Sequence, residues 1–520
     1  MQPSRILDLH THMFNARYLP LASIIADAMG RDSSLFANAV ARLLYSLTDS
    51  SYEPKAFERL AVIATTAGAK ARAVHGDHDH GDHDHGAVDE EAYIDAIWSI
   101  TEHELVATTQ SFEGIRNGSL SMAVAAPGSE AAKRMASSEL MGIIRELDAF
   151  VPADEGLDAD DERADDIGAE GFAKAMAKGG GDAVGWAERV VKRALRRLQK
   201  WMDPEAWGRY TNYVEFFFTL LASERNILAR LREGYGQGLP SIRFVHFMMD
   251  MQMAYPSRKA AYYPVHPEQM QRMQQLHRDA QGGLLGFWAF DPRRADWRAW
   301  AEEALGKGFL GFKFYPAMGY RPDGDAQHAA TIEAFYAFCV ERDVPIFAHC
   351  TPEGFQTRRK EGHFANPAYW EAVLVRHPTL RLCLGHAGGG RAGKGAHFSH
   401  GWGATKKEEW ELPGNYARRV VKLCKQYPNV YCEVGHLVDL LGANGRQRFL
   451  DNLVRANAEE GEYDFMHKLA YGTDWHMQAM VNAARRFLDG FIELFARPEL
   501  APHAERFFWQ NGYAYLKLPA

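Results

Sequence analysis

From about residue 208 to the end, the chain alternates helical and strand-like patterns of hydrophobic residues. A segment with helical spacing, TNYVEFFFTLLASERNILARLREG, is followed by a short apolar run, SIRFVHFMMD, and six further helix-then-strand units come after it. With the opening run RILDLHTHMF, we count eight predicted strands. Strands that alternate with helices form parallel sheets, and eight such units predict a closed (β/α)8 TIM barrel of the α/β class. A doubly wound open sheet is the alternative.

A large insertion interrupts this pattern. The first strand ends near residue 14, but its neighbour begins only near residue 241. We therefore expect a barrel formed by residues 1–14 and 208–520 and an inserted domain formed by residues 15–207. Amphipathic stretches such as SLFANAVARLLYSL and AERVVKRALRRLQKW predict a mostly helical insertion. Because loops that follow barrel strands lie on the catalytic face, we expect the insertion to form a cap or wall over the active site.

Two tracts of the insertion are too polar to pack in a core. Residues 75–86, HGDHDHGDHDHG, are rich in histidine, and residues 154–166, DEGLDADDERADD, are acidic. Both compositions are typical of surface loops. The histidine tract would chelate zinc or nickel loosely, as a metal-scavenging or merely solvated loop, because a tuned catalytic site needs rigid support.

Composition and charge limit the partners. The 520 residues include 59 Lys+Arg against 67 Asp+Glu, a net charge of -8, which gives no reason to expect nucleic acid or an anionic membrane. The apolar run VEFFFTLLA is far too short to span a bilayer. Five cysteines without paired spacing, and no visible signal peptide, favour a cytoplasmic protein. We expect a small-molecule substrate, and a homo-oligomer stays open.

Side chains that can bind metal lie at the ends of the predicted strands. His10 and His12 end the first strand, where alternation places both on one face. The later strands contribute, in order from the fourth to the eighth, Lys313, His349, His386, Glu433 and Asp474. Because the strand ends of a barrel converge on one mouth, this set predicts a divalent metal site.

This pattern resembles the amidohydrolase superfamily of metal-dependent barrel hydrolases. The signature of that superfamily is HxH on the first strand, often Lys on the fourth, His on the fifth and sixth, and Asp on the eighth. All six positions are filled here. The segments GFKFYP, LGHAGGG, YGTDW and FWQNGYAYL are most similar to the branch that contains aminocarboxymuconate-semialdehyde decarboxylase. The resemblance covers residues 1–14 and about 208–520 but not the insertion.

The resemblance implies roles for these residues. It implies a divalent metal ion, most often zinc. Four residues would be its ligands: His10, His12, His349 and Asp474. Such an ion lowers the pKa of its water to about 7 in the best-known zinc enzyme, and Asp474 could pass the water's proton to the leaving group. His386 has two interpretations, as a ligand of a second ion or as an acid or base without metal.

Lys313 also has two interpretations. Burial and a nearby cation lower the pKa of a lysine, and a neutral amine can react with CO2 to form a carbamate. The resemblance implies that a carboxylated Lys313 would bridge two ions, with His386 on the second. In the decarboxylase-like members, which hold one ion, Lys313 would stay an amine that contacts a substrate carboxylate or packs at the mouth. One ion and two ions both stay open.

Further candidates lie in the loops. Arg391 and Lys394 in HAGGGRAGKG, and Arg321 in GYRPDGD, could bind a substrate anion, although ordinary solvated loops have the same composition. Alternation turns the thiol of Cys350 away from the mouth, which favours a buried thiol over a nucleophile. Glu433 is either a partner of a metal ligand or a structural carboxylate.

We therefore predict a metal-dependent hydrolase of the amidohydrolase type, which cleaves a C–N or C–O bond of a small carbonyl substrate. The runner-up is a metal-dependent, non-oxidative decarboxylase of an unsaturated or aromatic carboxylic acid, because both reactions use the same first ligands. The alternative without catalysis is a metal-buffering protein, which the histidine tract suggests. A storage protein, however, has no need for Asp474 beside an open coordination position.

Overall fold

The chain forms two compact units, which are described separately below. In the computed structural model of the protein, the structure is described for residues 3–31, 34–50, 90–108, 129–150, 169–201, 216, 219–357, 359–395, 398–477, 480 and 483–519. One unit comprises Met1–Phe14 with Glu224–Ala520, and the other comprises Asn15–Ser223. The predicted boundary at 207/208 falls outside the described residues, as do the histidine tract 75–86 and the acidic tract 154–166. That boundary stays a prediction.

Eight parallel strands form the sheet of the first unit. They are β1 (Ile6–Thr11), β2 (Ile242–Phe247), β3 (Leu284–Phe290), β4 (Gly311–Phe314), β5 (Ile346–Ala348), β6 (Leu382–Leu384), β7 (Val430–Glu433) and β8 (Leu469–Ala470). Each strand pairs with the next in chain order. Past β8, the Asp474 N–H donates to the His10 carbonyl at 2.7 Å, and Thr11 pairs in parallel with Trp475, which brings the ends of the sheet together. The predicted (β/α)8 barrel is confirmed.

The helices alternate with the strands, as the hydrophobic pattern predicts. In chain order they are α1 (Leu21–Ala28), α2 (Leu35–Leu47), α3 (Glu90–Ala107), α4 (Glu130–Ser137), α5 (Glu139–Asp148), α6 (Ala169–Lys178), α7 (Gly180–Trp201), α8 (Glu224–Tyr235), α9 (Met270–Asp279), α10 (Trp297–Gly306), α11 (Ala329–Glu341), α12 (Tyr369–Arg376), α13 (Lys407–Glu411), α14 (Tyr416–Gln426), α15 (Ala443–Ala458), α16 (Ala484–Phe495) and α17 (Asn511–Leu516). Across the described residues, we find no helix with the length and apolarity that crossing a membrane requires.

The second unit is helical where it is described, which confirms the expectation for the insertion. Helix α2 packs against α1 and α5, and α7 packs against α3, α5 and α6. The side chains of Leu43, Ile97, Ile143 and Trp186 are fully buried in these helices. Helix α2 begins where the Ser34 hydroxyl accepts the backbone N–H of Ala37, which satisfies one of the free donors of the first turn.

The interior of the barrel is a packed core. Leu9 of β1, Phe247 of β2, Phe287 of β3 and Phe347 of β5 belong to one buried cluster, which also includes Tyr515 of α17. The rings of Phe247 and Phe347 lie 4.1 Å apart between centroids. This core forms a rigid base for the side chains at the carboxyl ends of the strands.

Candidate metal centre at the barrel mouth

A local irregularity of β1 directs His10 and His12 into the barrel. Leu9 belongs to the interior cluster, so strict alternation from Leu9 would turn both histidines outward. The pairing register with β2 shifts between Asp8 and Thr11, which restores both rings to the inner face. The histidines therefore share a face, as the sequence predicts, but the register shift is what puts that face inside.

His10, His12 and Asp474 form what we call the β1/β8 group. The Nε2 atoms of His10 and His12 each lie 3.1 Å from Asp474 Oδ1, and all three side chains are buried. Burial by itself would raise the pKa of Asp474, but the neighbouring histidines, His10 first, hold that pKa well below its ordinary value. The carboxylate is therefore an anion, four residues past the end of β8.

The hydrogen positions of the β1/β8 group follow from its outer contacts. His12 Nδ1 lies 3.1 Å from the carbonyl oxygen of Phe247, which can only accept, so Nδ1 carries a hydrogen and donates it. In its neutral form, His12 then presents a bare Nε2 lone pair to Asp474. Burial and the charge of Lys313 hold the pKa of His10 well below its ordinary value, so the His10 ring is neutral at neutral pH. A metal cation between these nitrogens and the carboxylate would bind their lone pairs and the anion together.

His349 and His386 form a second set, the β5/β6 group. The outer nitrogens, His386 Nδ1 and His349 Nε2, lie 2.9 Å and 2.8 Å from the carbonyl oxygens of Gly435 and Glu353 and are donors for the same reason. The inner nitrogens, His386 Nε2 and His349 Nδ1, face each other at 3.0 Å. Burial lowers the pKa of His386 to about 4 and that of His349 well below its ordinary value, so both rings are neutral at neutral pH. Two bare lone pairs thus point at one another, an arrangement that a shared cation stabilises.

Lys313 of β4 is buried at the same mouth. Its Nζ lies 3.3 Å from His10 Nε2 and 4.5 Å and 4.3 Å from the ring centroids of Phe247 and Phe347. Burial lowers the pKa of Lys313 to about 8, although the charge of Asp474 acts in the opposite direction. A fraction of this amine is therefore neutral at neutral pH.

Glu433, the last residue of β7, touches both groups. Its Oε1 lies 2.8 Å from His10 Nδ1 and accepts the backbone N–H of His386 at 2.7 Å. Burial raises the pKa of Glu433 to about 8. A Cβ at Gly435 or Gly472 would lie 2.8 Å or 2.4 Å from Glu433 Oε2, so both glycines leave room for this carboxyl. Carboxylates in this position commonly orient the histidines that bind metals.

The family of the chain follows from a sequence comparison. A family model described as amidohydrolase matches residues 239–511, more than half of the chain. The chain belongs to the amidohydrolase family. This confirms the resemblance of the barrel segments, and the inserted residues lie outside the match. No curated protein matches the chain.

Several solved structures of amidohydrolase-type proteins are similar to the chain. An amidohydrolase from Burkholderia multivorans with bound zinc is 17% identical, with a TM-score of 0.38 over 58% of this chain and 92% of that one. A 2,6-dihydroxybenzoate decarboxylase from Rhizobium is 15% identical, with a TM-score of 0.37 over 57% and 90%. A 5-carboxyvanillate decarboxylase from Novosphingobium aromaticivorans, complexed with manganese, is 14% identical, with a TM-score of 0.39 over 60% and 87%.

The structure brings the predicted ligand set of this amidohydrolase together at one mouth. Contacts of 3.3 Å or less, some of them through Glu433, link its six members: His10, His12, Lys313, His349, His386 and Asp474. Their binding of metal stays a prediction. Cys350 is buried, as expected, and burial raises the pKa of its thiol.

The three predicted anion-binding residues lie in other surroundings. Arg321 donates from Nε to Asp323 at 2.9 Å, and its guanidinium lies 4.4 Å from the ring centroid of Tyr369. Arg391 and Lys394 are exposed. In the part of the chain that the structure describes, none of the three forms a hydrogen bond or ion pair with the histidines of the mouth. Their roles in substrate binding stay predictions.

Two further side chains at the mouth were missed by sequence reasoning. The half-exposed His436 has a φ of 58° and places Nδ1 3.5 Å from Asp474 Oδ2. Its position three residues after Glu433, in the loop past the seventh strand, could have indicated it. The ring of Tyr315 stacks on His349 at 4.2 Å between centroids. Its place directly after the fourth strand is a weaker signal, because aromatic residues are common there.

Proposed function

We propose that the protein is a metal-dependent hydrolase, which cleaves a C–N or C–O bond of a small carbonyl substrate. The observation that carries this proposal is the set of inward ring nitrogens without hydrogens. His12 Nε2 faces a carboxylate oxygen at 3.1 Å, and His386 Nε2 faces His349 Nδ1 at 3.0 Å. These contacts are unfavourable without a cation, and a divalent metal supplies one.

The donor set fits such an ion. Imidazole nitrogens with one carboxylate oxygen are typical zinc ligands. Metal ligands must be deprotonated, and burial already keeps His10 neutral and its neighbours keep Asp474 anionic. The outer contacts of His10 to Glu433 and of His12 to Phe247 hold the rings with Nε2 turned inward. A divalent ion bound here would lower the pKa of a water molecule and polarise a carbonyl group.

In this proposal, Asp474 moves the proton of the attacking water. Its Oδ1 is shared by His10 and His12, whereas its Oδ2 is turned towards His436, at 3.5 Å. Oδ2 can take the water's proton and deliver it to the nitrogen or oxygen of the leaving group, which completes the cleavage. The neutral His386, whose hydrogen lies on Nδ1, presents a bare Nε2 and could accept a proton there, but it has no Nε2 hydrogen with which to polarise the carbonyl under attack.

Non-oxidative decarboxylation is a second candidate, and Lys313 favours it. An unmodified ammonium beside His10 and between aromatic rings could hold a substrate carboxylate at the mouth. In that reaction the C–C bond breaks, CO2 leaves with the carboxylate carbon, and the remaining carbon takes up a proton. Water is the net source of that proton, and the bare Nε2 of His386 could take it up and pass it to the carbon.

Product analysis with a matched variant tests the proposal. The metal-loaded protein is screened against amides, esters, lactones and unsaturated or aromatic carboxylic acids, and CO2 release is measured in parallel. We expect hydrolysis without CO2. In Asp474→Asn, turnover should fall about 100-fold or more at equal metal content, because the proton acceptor is lost. Asp489→Asn, at an exposed ion pair with Arg485 on α16, is the control and should keep full turnover.

Two results would count against hydrolysis. Release of CO2 that Asp474→Asn abolishes would assign the site to decarboxylation. Failure of the purified chain to bind zinc or manganese tightly would contradict both reactions.

A further inference from the structure

We propose that Asp8 is a positioning residue that sets the geometry of the metal ligands on both sides of the barrel seam. Asp8 lies in β1, and its side chain is fully buried. Its carboxylate accepts four hydrogen bonds. Oδ1 accepts the backbone N–H groups of His10 at 3.2 Å and Thr473 at 2.9 Å, and Oδ2 accepts the hydroxyls of Thr473 at 2.6 Å and Tyr235 at 2.7 Å. This inference rests on the proposed metal site of His10, His12 and Asp474.

The donors identify what the carboxylate holds. The His10 N–H belongs to a ligand, and Thr473 directly precedes the ligand Asp474. The Asp8 side chain therefore joins the backbone N–H of His10 to the backbone of Thr473, which lies 465 residues after Asp8 in the sequence. Because a carboxylate offers about four acceptor positions, the four donors use all of them, and no water or other residue is needed to complete the set.

Both anchored segments depart from regular strand geometry. The register of β1 shifts between Asp8 and Thr11, and this shift turns His10 and His12 inward. Asp474 has a φ of 61°, in the left-handed region that side-chain-bearing residues rarely adopt. Such conformations persist only where neighbouring contacts hold them. Asp8 supplies such contacts to both segments, and the Asp474 N–H to His10 carbonyl bond of 2.7 Å joins the two segments directly.

The consequence is a specific effect on metal affinity. In Asp8→Asn, the amide oxygen can keep the backbone N–H groups of His10 and Thr473, but the amide nitrogen must then donate to the hydroxyls of Thr473 and Tyr235. Two hydrogen bonds are reversed and all four lose the charge of the acceptor, which loosens the hold on both segments. Residues that orient metal ligands from outside typically change metal affinity about 10–100-fold when they are replaced. Tyr235→Phe removes one hydroxyl but leaves the bonds to His10 and Thr473, so its effect on affinity should stay within about threefold.

The experiment measures metal binding by the full chain. Metal-free protein is titrated with Co²⁺, the dissociation constant is obtained by competition with a chelating dye, and the visible absorption of bound Co²⁺ reports the ligand geometry. Asp8→Asn should bind Co²⁺ about 10–100-fold more weakly than the unmodified protein, with an altered absorption band. Asp250→Asn is the control, since this buried carboxylate pairs with Arg294 at 2.7 Å and anchors no ligand segment. It should bind Co²⁺ as the unmodified protein does.

The outcomes separate this inference from the function on which it rests. Failure of the unmodified protein to bind Co²⁺ would overturn the proposed metal site. Normal Co²⁺ binding by both the unmodified protein and a folded Asp8→Asn, with the same absorption band, would overturn only the role of Asp8. If Asp8→Asn does not fold, Thr473→Val decides, because it removes the hydroxyl that binds Asp8 Oδ2 and keeps the Thr473 N–H bond to Asp8 Oδ1. The same hydroxyl also accepts the Trp475 N–H at 3.2 Å and lies 3.4 Å from the His10 carbonyl oxygen. A changed Co²⁺ spectrum in Thr473→Val supports the inference, and an unchanged affinity and spectrum overturn it.

Discussion

The two groups of histidines at the barrel mouth are alike in how their rings are held and different in charge. The outer nitrogens of His12, His349 and His386 donate to backbone carbonyls, and that of His10 contacts the Glu433 carboxyl. In both groups the inner nitrogens face one another or a neighbouring side chain. The β1/β8 group includes the anion of Asp474, whereas the β5/β6 group consists of two neutral imidazoles. The first group can neutralise part of a divalent charge. The second group needs an added anion to hold an ion of its own.

The supports of the two groups differ in a related way. His10 of the β1/β8 group is oriented by the carboxyl of Glu433 at 2.8 Å. His349 of the β5/β6 group is oriented by stacking on Tyr315 and by the carbonyl of Glu353. A carboxyl in contact with a ring nitrogen fixes both the direction of a metal-binding ring and the position of its hydrogen, but a stacked ring only restricts the direction. The comparison therefore predicts that metal affinity depends mainly on the β1/β8 side.

The largest effect should come from removing a ring of the β1/β8 group. His12→Ala should weaken zinc binding by more than about 100-fold, and activity should disappear. Replacing a residue that only orients a ligand costs at most about 100-fold. His349→Ala should lose less affinity, because the anion and two imidazoles remain. Metal analysis after dialysis and competition titration measure both variants. Equal losses would remove the distinction between the groups, and full metal retention by His12→Ala would refute the site itself.

A smaller effect is expected from the carboxyl that supports His10. Glu433→Gln should weaken metal binding about 10–100-fold, because both carboxyl oxygens face backbone N–H groups, of His386 and Gly435, and the amide nitrogen cannot replace either oxygen as an acceptor. Glu224→Gln is the matched control, since this buried carboxylate pairs with Arg272 at 2.6 Å on the outside of the barrel. The titration used for His12→Ala measures both. A Glu433→Gln variant with the affinity of the control would show that the carboxyl is structural.

Much of this mouth could be predicted from the sequence, because each ligand follows an apolar run that forms a strand. Eight strands in chain order place their ends together, so residues far apart in sequence become neighbours. Regular strand geometry alone, however, would have placed two ligands wrongly. Asp474 lies four residues past the two-residue β8, and His10 depends on a register shift that no composition signals.

The charge environment could not be predicted in the same way. Arg321 looked free for a substrate anion, but the loop folds its guanidinium onto Asp323, two residues away. Glu433 looked ambiguous because its role depends on which ring it meets, and that ring belongs to a residue 423 positions earlier. The backbone carbonyls decide which nitrogen of each ring carries the hydrogen. The positions of those carbonyls are known only from the folded chain.

Lys313 tests whether the β5/β6 group can acquire the anion that it lacks. We expect the protein to bind two ions per chain in bicarbonate and one ion when CO2 is excluded, because a carbamate on Lys313 would supply the negative charge. Carbamate formation needs the neutral amine, whose fraction grows as the pH rises through the pKa of about 8, so the second ion should bind better above that pH than below it.

Variants of Lys313 complete this test. Lys313→Ala should bind one ion in either condition and recover part of its activity when a short carboxylic acid is added. Lys307→Ala, at a partly exposed ion pair with Glu303 at 3.5 Å, is the control and should keep the response to bicarbonate. A single bound ion in bicarbonate, with no recovery of activity in Lys313→Ala, would mean that the lysine stays an amine. That result would favour decarboxylation over hydrolysis.

The smallest effect should come from the support of the β5/β6 group. The Tyr315 hydroxyl accepts the backbone N–H of Phe355 at 3.0 Å, and its ring stacks on His349 at 4.2 Å between centroids. Tyr315→Phe keeps the stack and leaves one partly buried N–H without its acceptor, so the free energy of unfolding should fall by about 0.5–1.5 kcal/mol. Metal affinity should change by less than about threefold, because the stacking contact that orients the His349 ring remains. Tyr315→Leu, which also removes the stack, should weaken metal binding further than Tyr315→Phe.

Urea denaturation of the metal-free protein measures the free energy of unfolding, and Co²⁺ titration measures the metal affinity. A loss of affinity in Tyr315→Phe as large as that in Glu433→Gln would show that the two groups are supported equally strictly, and the comparison would then rest on charge alone.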